Sequence, residues 1–133
     1  MDPYDELLKR LKDIDLVNQI GGLLGWDQEV LMPPKAAKLR AEQLSWISRT
    51  GHEKLTDVRI GELLEMLEQE NNLNEIQRGN VRLARDSYDK ATKLPTDFVA
   101  EMAMHKSKSQ IYILKMQFQM LLIVMYVQVE FQT

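Results

Sequence analysis

At 133 residues the chain is long enough for one modest domain with a small core, and its 44% apolar and 28% charged residues describe a globular protein, not a disordered one. It has no cysteine, which excludes disulfide scaffolds, thiolate metal sites, thiol catalysis and iron–sulfur clusters. The formal net charge is −3, and no run of Lys or Arg tracks phosphates, which argues against a nucleic-acid partner.

Met1-Asp2-Pro3-Tyr4-Asp5-Glu6 is acidic and polar, unlike a secretory or transit peptide. The one continuous apolar run, Met120 to Val127, falls short of the ~20 residues of a membrane-spanning helix. The expectation is a cytoplasmic chain without a membrane partner.

Asp2 before Pro3 predicts a helix start, a carboxylate cap followed by a residue pre-set at helical φ. Leu7, Leu8, Leu11 and Ile14 recur at helical spacing, and Val17, Ile20, Leu23 and Leu24 continue the pattern. Gly21, Gly22 and Gly25 interrupt it, as packing glycines or at a kink. The segment should end at Met32-Pro33-Pro34, because proline disfavours helix in the residue before it. A second helix then carries Ala37, Ala41, Leu44 and Ile47 and is expected to stop near Gly51.

Thr56-Asp57 reads as the next cap, ahead of Ile60, Leu63, Leu64 and Leu67, with Asn71-Asn72 as the predicted end. Asn74-Glu75-Ile76-Gln77 has capping-box spacing and opens a helix with Val81, Ala84, Tyr88 and Ala91 on one side. Leu94-Pro95 breaks it, Thr96 is placed as a cap, and Phe98, Met102 and His105 share a face beyond. Short connections favour antiparallel neighbours. The fold class is therefore all-α, an antiparallel bundle of about five helices. A helical region over 1–105 is followed by a divergent apolar tail over 106–133.

That tail is ambiguous. Ile111 to Leu114 and Met120 to Val127 are apolar on all sides, while Val127, Val129 and Phe131 alternate with Gln128, Glu130 and Gln132 in a strand-like period. Such a surface needs cover from this chain or from a second copy, so a homodimer through the apolar surface and tail is expected.

Candidates for chemistry are few. Hydrolytic zinc sites use converging imidazoles and a carboxylate, commonly two His one helical turn apart. Only His52 and His105 exist, and His52-Glu53-Lys54-Leu55-Thr56 has Thr where a second ligand belongs. His52 reads as a surface or cap-region residue and His105 as a half-buried helix residue. None of Ser45, Ser48, Ser87, Ser107 or Ser109 sits in a Gly-x-Ser-x-Gly elbow. No catalytic, metal-binding or cofactor-binding residue is assigned. The distinctive stretch is Trp26-Asp27-Gln28-Glu29 with Met32-Pro33-Pro34, read structurally: Trp26 as a core anchor, Asp27 capping or bonding a nearby backbone N–H, the prolines turning the chain.

Those residues, together with Tyr4-Asp5-Glu6-Leu7-Leu8, Arg40-Ala41-Glu42-Gln43-Leu44, His52 to Asp57, Gly61-Glu62-Leu63-Leu64, Asn80 to Arg85, Tyr88 to Thr92 and Leu94-Pro95, carry a resemblance. Over roughly its first 105 residues the chain resembles the N-terminal region of the thermostable (Taq-type) zinc carboxypeptidases. The resemblance implies a nearly all-helical metallopeptidase that releases C-terminal residues from peptides, usually as a homodimer. In that family the two His of a His-Glu-x-x-His helix and a later Glu hold zinc, and none of these positions occurs in this chain. The resemblance therefore implies a truncated part, silent by itself, with zinc belonging only to full-length relatives. The rival expectation is a stand-alone helical interaction module.

Overall fold

The computed structural model describes residues 1–131. Its elements are α1 (Pro3–Val30), a 3₁₀ turn (Pro34–Ala36), α2 (Ala37–Leu55), α3 (Val58–Glu68), α4 (Glu75–Thr92) and α5 (Thr96–Phe131). The described residues contain no strand. The expected all-α bundle is what forms.

Local chemistry sets most of the boundaries. The Asp2 carboxylate accepts from the Tyr4 amide and Pro3 opens α1; Asp57 accepts from the Arg59 amide and opens α3. Asn74 and Gln77 form a reciprocal capping box at α4. At two ends the structure corrects the sequence. α2 does not stop near Gly51 but runs on to Leu55, because Gly51 is buried against α1, where a Cβ would lie 3.4 Å from Val17 and Asn18, and is not a terminator. α3 ends at Glu68, ahead of Asn71-Asn72. Thr96 lies inside the first turn of α5 and spends its side chain elsewhere, so it is not a cap.

Cross-helix contacts give the register. Along α1, residues Val17, Gly21 and Leu24 meet Gly51, Ile47 and Arg40 of α2, so one number rises as the other falls. Glu6 meeting Arg59 and Arg10 meeting Asp57 do the same for α1 and α3. α2 and α3 therefore follow one another along the length of α1. A third row forms likewise: Arg85 and Tyr88 of α4 lie against Glu68 and Gly61 of α3, and Asp97 and Ala100 of α5 against Arg49 and Ser45 of α2. The result is three antiparallel rows: α1, then α2 with α3, then α5 with α4.

The core sits at one end. Leu7, Ile60, Leu63 and Leu64 are fully buried, with Tyr4, Ile14, Leu67, Leu73, Val81 and Ala84 around them. Burying each large aliphatic side chain contributes about 1.5–3 kcal/mol. The other end is thinner and closes on small residues, Ala41, Gly51 and Ala100.

α5 spans 36 residues, about 54 Å at 1.5 Å per residue. It passes residues 105–106 without a break, and the tail is helical through Phe131, including the alternating Val127, Val129 and Phe131. Gln132 lies outside the described residues. Tyr112, Ile113, Met116, Phe118, Met120 to Ile123 and Met125 are all exposed. No helix among the described residues is long and apolar enough to cross a membrane.

Candidate functional site

The Trp26-to-Pro34 stretch is the last turn of α1 and the corner into α2, and here the three rows meet. Gln28 is 6% exposed and Ser107 3%. The Gln28 side-chain nitrogen donates to the Ser107 carbonyl oxygen at 2.9 Å, and the Ser107 hydroxyl donates to Gln28 Oε1 at 2.7 Å. Burial of an amide and a hydroxyl costs free energy unless both are bonded, and this pair satisfies both.

Asp27 does not bond a backbone N–H as expected; its carboxylate pairs with Arg40 of α2 at 2.7 Å. Arg40 Nη1 also donates to the Leu24 carbonyl at 2.7 Å, and its Nε to Gln43 at 2.9 Å. One guanidinium therefore ties the end of α1 to the start of α2. Trp26 is not a core anchor. It is 54% exposed, because the adjacent Asp27 and Gln28 take the inward directions.

Glu29 and Met32 border two depressions. One groove, of about 380 Å³, runs between α1, α2 and α5 and is bordered by Gly21, Gly22, Gly25, Gln28, Glu29 and Lys106 among others. The second is apolar, about 420 Å³, and sets Met32 and Pro34 against Ile111, Leu114 and Phe118 of α5. Pro33 is extended (φ −62°, ψ 142°) ahead of the 3₁₀ turn. The packing role expected of the glycines holds for one of the three. A Cβ on Gly21 would lie 2.9 Å from Ile47 Cγ2, whereas Gly22 and Gly25 face open space on the groove.

The histidines lie apart from this corner. His52, half-buried, has Nδ1 2.8 Å from Thr96 Oγ1 and Nε2 2.9 Å from the Ala91 carbonyl. A carbonyl only accepts, so Nε2 carries the proton and Nδ1 accepts from the Thr96 hydroxyl. The ring thus pins α2 to the α4–α5 junction, a firmer role than a surface or cap histidine. His105 is exposed and not half-buried; its ionic neighbour among the described residues is Glu101, at 4.0 Å. The Ser45 hydroxyl donates to the Ala100 carbonyl, Ser48 borders the groove, and Ser87 and Ser109 are exposed.

These residues do not fit a zinc ion. Both nitrogens of His52 are committed, His105 has one distant carboxylate, and among the described residues no three His, Asp or Glu side chains converge. Nor does the groove hold a nucleophile beside a base, since the Ser107 hydroxyl faces an amide oxygen. What the corner does is hold three helices in register. Ser107 was the partner that sequence reasoning missed, because no periodicity links positions 79 apart.

Residues 6–112 match the family described as Carboxypeptidase Taq (M32) metallopeptidase. Thermostable carboxypeptidase 1 of Thermus thermophilus is 31% identical over 110 residues, 80% of this chain and 22% of the relative. Thermostable carboxypeptidase 1 of Pyrococcus furiosus is 31% identical over 98 residues, 74% of this chain and 20% of the relative. A solved structure titled "BsuCP Crystal Structure" superposes with a TM-score of 0.77 at 27% identity, covering 81% of this chain and 22% of that one. The matches fall in the N-terminal part of these relatives, and the chain spans about a fifth of their length.

Proposed function

The chain belongs to the carboxypeptidase Taq (M32) metallopeptidase family, and we propose that it acts as the N-terminal helical part of such an enzyme, silent in hydrolysis by itself. In this reading zinc, its ligands and the general base come from the remaining four-fifths of a complete family member. The observation that carries it is the pairing of a 0.77 TM-score with coverage of only 22% of the matched structure. Two further features support it. The chain's two histidines are not one helical turn apart, as a His-Glu-x-x-His helix requires. The outer face of α1 also leaves Leu16, Ile20, Leu23 and Val30 exposed at helical spacing, a surface suited to packing against a larger body.

The test is complementation. The Thermus thermophilus relative, expressed without its N-terminal fifth, is assayed for release of C-terminal residues from peptides, alone and mixed with this chain or with its own missing part. The reading expects this chain to restore activity, as the relative's own part does, and to release nothing when assayed alone with zinc or cobalt. Release by this chain alone, at a rate tracking its concentration, overturns its silence. Rescue by the relative's own part but not by this chain overturns the N-terminal assignment.

A further inference from the structure

α5 outruns the bundle. Its last buried residue among those described is Ser107, and Ile111 and Leu114 are half-buried beside Met32 and Pro34. From Lys115 to Ile123 every residue is exposed. Met120, Leu121, Leu122, Ile123 and Met125 lie between 49% and 65% exposed. Apolar side chains of that size gathered in the open mark a contact surface.

The directions of these side chains identify what covers them. Met120 to Ile123 are consecutive, and at 3.6 residues per turn four consecutive side chains point to all sides of a helix. A partner helix covers one stripe and leaves the others in water. A lipid leaflet covers every side at once. The apolar run over residues 120–127 is about 12 Å long, too short to cross a hydrocarbon core of about 30 Å. A helix that lies along a membrane surface needs only to sink by about 5–10 Å. Gln117 and Gln119 precede the run, and Gln128 and Glu130 follow it, a polar margin at either end.

Charge selects the same medium. Residues 102–129 hold Lys106, Lys108 and Lys115 and no Asp or Glu, so they carry +3 in a chain whose net charge is −3. No acid stands three or four residues from any of these lysines, so no helical neighbour neutralises them. Lys108 and Lys115, seven residues apart, share one flank. We propose that the end of α5 docks on an anionic lipid surface. The helix lies along the surface, with residues 120–127 below the headgroups and Lys115 and Lys108 against lipid phosphates. This replaces the expectation of no membrane partner, which rested on a run too short to span. The run lies beyond the family match, which ends at residue 112, so the docking is independent of the carboxypeptidase reading.

Flotation of the full chain with lipid vesicles tests the docking. Binding to phosphatidylcholine vesicles with about a third phosphatidylserine is expected to be about tenfold tighter than to phosphatidylcholine alone, and to weaken in high salt. Leu121→Glu with Ile123→Glu, both exposed, is expected to abolish binding at unchanged helicity by circular dichroism. Leu16→Glu with Leu23→Glu, on the exposed face of α1, is expected to leave binding unchanged. Lys108→Gln with Lys115→Gln is expected to reduce the preference for anionic vesicles. The chain has no cysteine, so Ile123→Cys takes a single polarity-sensitive dye. Its emission is expected to shift to the blue on anionic vesicles, and the same dye on Leu16→Cys to stay unchanged. A chain that floats with neither kind of vesicle overturns the proposal, as does a dye at position 123 that shifts only when a protein, including a second copy, covers it. Equal binding to both compositions overturns it as well, and so does loss of binding in the α1 variant but not in the α5 variant.

Discussion

Gln28 and Ser107 exchange two hydrogen bonds out of reach of water, and either one without the other leaves a buried polar group unpaired. That asymmetry makes the pair testable. Ser107→Ala is expected to cost about 1–3 kcal/mol because Gln28 Oε1 loses its donor. Gln28→Leu is expected to cost a comparable amount, and the double variant less than the sum, with a coupling of about 0.5–3 kcal/mol in a urea-denaturation cycle. Additive losses would mean that the pair does not act as a unit. The inward role of Gln28 was not legible in the sequence, where Trp26 is the more conspicuous side chain. Hydrophobicity ranks Trp26 as core, but position on the helix decides, and its direction points outward. His52 is similar: its composition suggests a surface residue, and only the approach of Ala91 and Thr96 gives both ring nitrogens a partner.

Among the elements, α1 shows how far a helix tolerates glycine when packing supplies the reason. Gly21 admits Ile47 of α2 to 2.9 Å from where a Cβ would stand, and Ile47 is β-branched and stiff, so the contact cannot yield easily. Gly22 and Gly25 meet nothing within 4 Å. Gly22→Ala and Gly25→Ala are therefore each expected to stabilise the chain by about 0.5–1 kcal/mol through the unfolded state. Gly21→Ala should gain nothing or lose stability. Urea midpoints of the three single variants check this, and equal gains at all three positions would refute the close approach. The starts of α1, α3 and α4 were legible because each rests on a cap within three residues of itself, Asp2, Asp57 and Asn74. The ends of α2 and α3 were not, because Gly51 signals a stop only when no neighbouring helix occupies its open side.

At the scale of the whole molecule, the joint between α1 and α3 controls behaviour in acid. Arg59 donates to Glu6 through Nε at 3.0 Å and Nη2 at 2.8 Å, and Arg10 adds a bond at 3.2 Å. The hydrogen bonds from Arg59, helped by Arg10, hold the Glu6 carboxyl at about 2, down from 4.5. Arg59 is raised in turn, first by Glu6 and then by Glu62, and stays charged throughout. A lowered carboxyl stabilises the fold above its unfolded value. Below about 4.5 the unfolded chain takes up a proton that the folded chain still refuses, so this contribution fades as pH falls toward 2. The urea midpoint is expected to drop between pH 5 and pH 2, and Glu6→Gln to flatten that drop. Parallel profiles for the two proteins would remove Glu6 as the cause.

The sequence by itself determined the helical class, the number of helices, most of their starts and the resemblance to the Taq-type carboxypeptidases. All of these rest on short-range signals: caps, prolines, apolar spacing and contiguous motifs. Tertiary structure alone decided which residues of the Trp26-to-Pro34 corner face inward, which distant serine completes Gln28, and that the tail through Phe131 is helix and not strand. It also decided that α5 turns its small residues to the bundle and its large ones outward. The physical reason is that a side chain's direction depends on which neighbour occupies the space beside its helix, and that neighbour is set by register between segments tens of residues apart.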